Sequence, residues 1–185
     1  MRIRTLLAVV AAAFTAPVVG ALAAQVPQGT LIPIPYRTYI GINPLGIAFD
    51  IASIEIENAV APGITLGGVG SYTAASDERF TTFDLKLRYY PGEVVLRGFS
   101  LGASVGYTKF SNIVNTNGTT DTRQTLDAPT IGIIADYNWM LGVRRRFILG
   151  TGVGAKRVLA SSEDRDRVNI DRVIPTARFI VGIAF

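Results

Sequence analysis

From about residue 38 onward the chain alternates apolar and polar positions one for one, which is the period of a strand with one greasy face. Over 83–90, Phe83, Leu85, Leu87 and Tyr89 take turns with Asp84, Lys86, Arg88 and Tyr90. Over 99–108, Phe99, Leu101, Ala103, Val105 and Tyr107 stand against Ser100, Gly102, Ser104, Gly106 and Thr108. Ile131, Ile133, Ala135, Tyr137 and Trp139 oppose Gly132, Ile134, Asp136 and Asn138. Phe179, Val181, Ile183 and Phe185 oppose Arg178, Ile180, Gly182 and Ala184. Extended along the chain, the pattern predicts eight strands, over 38–49, 51–60, 64–75, 81–91, 98–110, 129–140, 147–159 and 172–185. Strands of about ten residues are what a tilted strand needs to cross a bilayer.

An even strand count puts both ends of the barrel on one side, and the connections then sort by parity. Short turns, Ala61-Pro62-Gly63 among them, follow strands two, four and six. Longer polar stretches follow strands three, five and seven, including 111–128 and 161–171. Short turns at one rim and longer loops at the other are the habit of outer-membrane barrels. A tight connection near Asp50 departs from this rule. The motif LGxxVG recurs at 101–106 and 149–154, on strands of the same direction. It lacks GxGxxG and no helical pattern follows it, so it is no phosphate loop. Glycine on the inner face of a narrow barrel relieves crowding instead.

Residues 1–24 change the picture of where the chain works. Arg2 and Arg4 precede an apolar run from Leu6 that ends in small residues, with cleavage sites after Ala23 or Ala24. This is the layout of a secretory signal peptide. Residues 25–37 are proline-rich and read as an extended periplasmic lead-in, and 38–185 as one barrel domain. With Arg2 and Arg4 set aside, the formal charge of +4 falls to +2, too little to argue for nucleic acid. The chain has no cysteine, hence no disulfide and no lipid-modified N-terminal cysteine. Beyond the signal no apolar run approaches the 18 or so residues of a membrane helix.

Alternation places Tyr89, Phe99, Trp139, Phe147 and Phe185 near the short-turn rim, and Tyr72, Phe83 and Tyr107 near the other. Two belts of aromatic rings mark the two interfaces of a membrane barrel. The last strand carries Phe179, Val181, Ile183 and Phe185 at alternate positions and ends on phenylalanine. It resembles the C-terminal recognition signal of bacterial outer-membrane proteins. The whole is similar to the small eight-stranded outer-membrane β-barrels of didermic (Gram-negative) bacteria, including a barrel-domain family of unassigned role. That resemblance implies an all-β, antiparallel, up-and-down transmembrane barrel in the outer membrane. It further implies a monomer among lipid and lipopolysaccharide, engaged by the barrel-assembly machinery through Phe185.

Chemistry is sparse. Histidine is absent, which removes the commonest general base and any Ser-His or Cys-His pair. Outer-membrane proteases, phospholipases and lipid A acyl-modifying enzymes, as families, rely on such a histidine. No catalytic, cofactor or metal site is expected; the acidic residues of 161–171 lack the spacing of a calcium loop and read as a solvated stretch. Alternation turns Glu55, Glu57, Asp84 and Asp136 inward with Lys86, Arg88, Lys156 and Arg178, a balanced set. The primary expectation is a non-enzymatic barrel, structural or surface-interacting, whose lumen these pairs plug. Two alternatives stand beside it. One is a narrow pore for ions or small solutes. The other is a secreted, soluble, lipocalin-like barrel in which Leu85, Leu87, Val105 and Ile133 would line an apolar cavity.

Overall fold

A computed structural model describes residues 36–48, 50–75, 78–92, 94–116, 120–168 and 170–185. The expected signal peptide, and the lead-in up to residue 35, lie outside the described residues. Eight strands close into one antiparallel, up-and-down barrel in which each pairs with its neighbours in sequence. They are β1 (Thr38–Ile42), β2 (Ile51–Ala61), β3 (Ile64–Ala75), β4 (Glu78–Tyr89), β5 (Gly98–Thr116), β6 (Thr120–Leu141), β7 (Phe147–Val158) and β8 (Val173–Ala184). Closure rests on a short seam, with Tyr39 to Ile42 registered against Ala184 to Val181. Phe185 extends it: its N–H donates to the Thr38 carbonyl at 2.8 Å, and its own carbonyl accepts from Thr38 at 3.1 Å. Closing the sheet leaves no open edge around the barrel wall; only the far part of the β5–β6 hairpin, beyond Asn112 on β5 and before Thr130 on β6, pairs on one side alone.

Several connections differ from the expected ones. β1 stops at Ile42 rather than 49, because Asn43 caps a one-turn helix, α1 (Pro44–Ile47). The Asn43 side chain accepts from the Gly46 N–H at 2.9 Å, and Pro44 enters the first turn with its φ already helical. The connection near Asp50 is therefore longer than expected. Asp50, at φ 58°, turns the chain into β2. β4 begins at Glu78 instead of 81, so the connection after β3 is short, against the parity rule.

The stretch 111–128, expected as a loop, is strand on both arms: Ser111 pairs with Thr125, and the ladder runs on to Thr116 and Thr120. Threonine and valine suit a ladder as well as a polar loop, and register decided between them. Within 160–171 a short helix forms, α2 (Ser162–Val168). The Ser161 hydroxyl accepts from the Asp164 N–H at 3.1 Å, and Glu163 and Asp164 sit in the first turn, where the helix favours negative charge. Pro62 and Gly63 make the β2–β3 turn as expected, with Gly63 at φ 67°, a position that suits glycine.

The greasy face points outward. Leu85, Leu87, Val105 and Ile133 are exposed, Ile133 at 70%, so none lines a cavity. This removes the inside-out arrangement that a lipocalin-like barrel requires. Inside, two apolar clusters occupy the ends of the lumen. At the rim where β1 begins and β8 ends, the rim of the barrel's termini, Tyr39, Leu96, Ile148, Ile180 and Ala184 pack together, with Tyr36, Val95 and Met140 against them. At the opposite rim, Phe110, Leu126, Ala128 and Val158 pack with Phe80, Ala160, Ile170 and Ile174.

Leu96 reaches the first cluster only by adopting φ 65°, a left-handed conformation that costs a leucine about 1–2 kcal/mol, and it is 0% exposed there. Burial must outweigh that strain. Leu96→Ala is expected to destabilise the barrel by about 2–4 kcal/mol. Leu96→Gly should cost about 1 kcal/mol less than the alanine variant, because glycine is at ease at φ 65°. Urea midpoints of the three proteins check the order.

Candidate functional site

Between the two clusters the lumen is polar, and its charged side chains come from β2, β4, β6, β7 and β8. Strand alternation delivers them: Glu55 and Glu57 on β2, Lys86 and Arg88 on β4, each two residues apart, share the inner face. Arg88 is the hub, at 1% exposure. Its Nε donates to Asp136 Oδ2 at 2.7 Å, its Nη2 to Glu55 Oε1 at 3.1 Å, and its Nη1 to Glu57 Oε2. One guanidinium thus ties β4 to β2 and to β6, reaching past the strands that lie between.

Arg178 is the second anchor. Its Nη2 donates to Glu55 Oε1 at 2.8 Å and to the Tyr39 hydroxyl at 2.7 Å, and its Nη1 to Asn138 Oδ1 at 2.9 Å. Lys86 Nζ reaches Glu55 Oε2 at 3.3 Å. Glu55 therefore meets three cations. Glu57 accepts from Arg88, from Thr65 and, at 2.8 Å, from the Tyr90 hydroxyl. Farther along, Lys156 Nζ donates to Asp84 Oδ2 at 2.6 Å and to Thr82 Oγ1 at 3.2 Å, a separate pair linking β7 with β4.

All eight inward charges therefore fall into two groups, with Glu55, Glu57, Lys86, Arg88, Asp136 and Arg178 in one and Asp84 with Lys156 in the other. Tyr39, Tyr90, Asn138, Thr65 and Thr82 add further hydrogen bonds, while Asp84 Oδ1 and Asp136 Oδ1 are buried with no hydrogen-bond partner among the described residues. Tyr90 and Asn138 stand on the polar side of the alternation, and that was the one available signal. Their partners lie many residues away and leave no trace in spacing. Buried ion pairs persist when hydrogen bonds meet their remaining valences, as hydroxyl donors do at Glu55 and Glu57.

The glycines of the LGxxVG repeat make room for these groups. A Cβ on Gly106 would overlap Asp84 Oδ1, one on Gly152 would overlap Asp136 Oδ1, and one on Gly150 would overlap Arg178 and Asn138. On Gly102 it would come within 3.0 Å of Arg88 Cγ and closer still to the Leu87 carbonyl. The repeat is the imprint of charged side chains lying across neighbouring backbone.

The aromatic residues of the outer face lie in two zones. Phe83 is registered opposite Tyr107, and Tyr72 opposite Thr81 one strand on. At the rim of the termini, Tyr89, Phe99, Trp139, Phe147 and Phe185 are exposed. Tyr137 joins them, its ring 4.6 Å from that of Trp139. From Phe99 to Tyr107 along β5, a rise of ~3.4 Å per residue and a tilt of ~40° separate the zones by about 20 Å. Val181 and Ile183 face outward with Phe185, while Phe179 is half-buried.

No protein-family model matches the sequence, and no curated protein matches it. Among solved structures, the chain is similar to the crystal structure of the N-terminal β-barrel domain of Pseudomonas aeruginosa OprF. The TM-score is 0.46 and the identity 14%, over 80% of this chain and 94% of that one. The likeness is one of chain path. Among the described residues no helix is long and apolar enough to cross a membrane, which leaves strands that cross one untouched.

Proposed function

We propose that the protein is a non-enzymatic integral barrel of the bacterial outer membrane, with a structural or surface-interacting role and a lumen closed by its paired charges. One observation carries this reading: among the described residues charge is confined to the lumen and the rims, while an uncharged, largely apolar band between two aromatic zones covers the outside. In water such a band would be an unprotected apolar surface far larger than a monomer ordinarily exposes. In lipid it is the favoured face. The rim of the termini is then periplasmic, and the β5–β6 hairpin and α2 face outward, toward lipopolysaccharide. Export follows signal cleavage after Ala23 or Ala24. The outward residues Val181, Ile183 and Phe185, with Phe179, are what the assembly machinery would engage before β8 closes on β1. The lumen is a plug rather than a pore, because an apolar cluster stands at each mouth and paired cations and carboxylates fill the space between.

Expression in a didermic host tests the reading. Recovery in the outer-membrane fraction, with a heat-dependent shift on a cold detergent gel, is expected, and it should fall several-fold when Phe185 is deleted. Recovery as a soluble periplasmic protein, indifferent to Phe185, would overturn it.

A further inference from the structure

Charge is divided unevenly between the rims. At the rim of the termini stand Arg37, Arg97, Arg144, Arg145 and Arg146. No ion pair joins any of the five arginines to a carboxylate among the described residues. The opposite rim carries both signs, with Arg79, Lys109 and Arg172 beside Asp50, Asp127 and Glu163.

The turn that carries Arg144, Arg145 and Arg146 is held in place, as is Arg37. The Tyr36 hydroxyl donates to the Arg144 carbonyl at 2.9 Å. The Arg146 guanidinium lies 5.8 Å over the Tyr36 ring, and its Nε donates to the Ala184 carbonyl at 3.3 Å. Arg37 Nη2 donates to the Ala59 carbonyl at 3.4 Å. Arg145 sits at φ 48°, in a turn closed by its N–H on the Gly142 carbonyl at 3.0 Å. An arginine in the left-handed region is strained, and it persists here in a turn that its own backbone hydrogen bond closes. The same turn leaves Val143 fully exposed beside Leu141 and the rings of Trp139 and Phe147.

We propose that this rim is a binding site for anionic phospholipid, with the phosphates of the adjacent leaflet bridged by Arg97, Arg144 and Arg145 while Val143 and Leu141 enter the acyl boundary. The inference rests on the outer-membrane reading and adds the chemical class of lipid at one rim. Exposed apolar residues within the arginine turn favour a lipid over an anionic glycan, which would offer Val143 nothing. Guanidinium pairs with phosphate through two parallel hydrogen bonds, and each arginine near an anionic surface is worth about a fivefold change in partition.

The chain's single tryptophan, Trp139, lies beside this rim and reports its annulus. The protein, purified from membranes of an expressing host, is reconstituted in phosphatidylcholine bilayers holding either brominated phosphatidylglycerol or brominated phosphatidylcholine at equal fraction. Stronger quenching by the brominated phosphatidylglycerol is expected, corresponding to at least a fivefold preference that weakens as salt is raised. In the triple variant Arg97→Gln, Arg144→Gln, Arg145→Gln, shown to be folded by its heat-dependent gel shift, the preference should vanish. Equal quenching in the unmodified protein would overturn the inference, as would equal preference in the variant. Loss of the preference alongside arginine-dependent retention on isolated peptidoglycan would place a glycan there and overturn it too. If neither lipid quenches Trp139, the membrane reading itself fails.

Discussion

Arg88→Met is expected to destabilise the folded barrel by about 3–5 kcal/mol, the largest effect of any single change in the lumen. The methionine fills much the same space, so the loss is electrostatic rather than one of packing. Glu57 and Asp136 would each be left without a cation among the described residues, since each is paired there with Arg88 alone, whereas Glu55 would keep Arg178 and Lys86. Leaving a buried charge unpaired costs more than the pair contributed. Adding Glu57→Gln and Asp136→Asn to Arg88→Met should therefore recover more than half of the loss, and the non-additivity measures the coupling. Urea midpoints of the single, double and triple variants, followed by the gel shift, check it. Equal losses in the single and triple variants would show that Arg88 acts through packing instead.

The second large effect concerns the outside. Ile133 is registered against Ala103, midway along β5 between Phe99 and Tyr107, and so lies at the level farthest from both aromatic zones. Arginine there would sit near the bilayer midplane, and Ile133→Arg is expected to cost about 2–4 kcal/mol in lipid. In water the same change would be neutral or favourable, since it replaces an exposed apolar side chain. Equilibrium folding into phosphatidylcholine vesicles measures the cost. Asn58→Arg, near the rim and also outward, should cost no more than about 1 kcal/mol, because the penalty falls toward the interface.

Period-two alternation makes much of this molecule legible, because a strand flips its side chains at every residue and a one-residue slip would invert both faces. That is why Leu85 and Leu87 could be set on one face and Lys86 and Arg88 on the other from spacing alone, while which face lies outside had to come from the aromatic belts and the glycines of the polar face. The partners could not be read the same way. Arg88 meets Asp136 over the intervening β5, and Arg178 meets Glu55 across the seam, contacts that depend on barrel closure and strand stagger.

Strand ends were the other gap. The Asn43 cap that halts β1 competes locally with an apolar run that would otherwise continue through Ile47. The ladder from Ser111 to Thr116 is set by register with 120–125 rather than by any apolar pattern. Leu96 could not have been placed by pattern at all, since a leucine at φ 65° breaks the rule by which turns are recognised.

The central claim is that the alternating apolar face meets lipid. The chain has no cysteine, so a spin label at Ile133→Cys reports one site cleanly. In reconstituted vesicles the label should collide with oxygen far more often than with a water-soluble nickel chelate, the reverse of a label at Ser162→Cys on α2. Equal access of the nickel chelate at both positions would contradict the account.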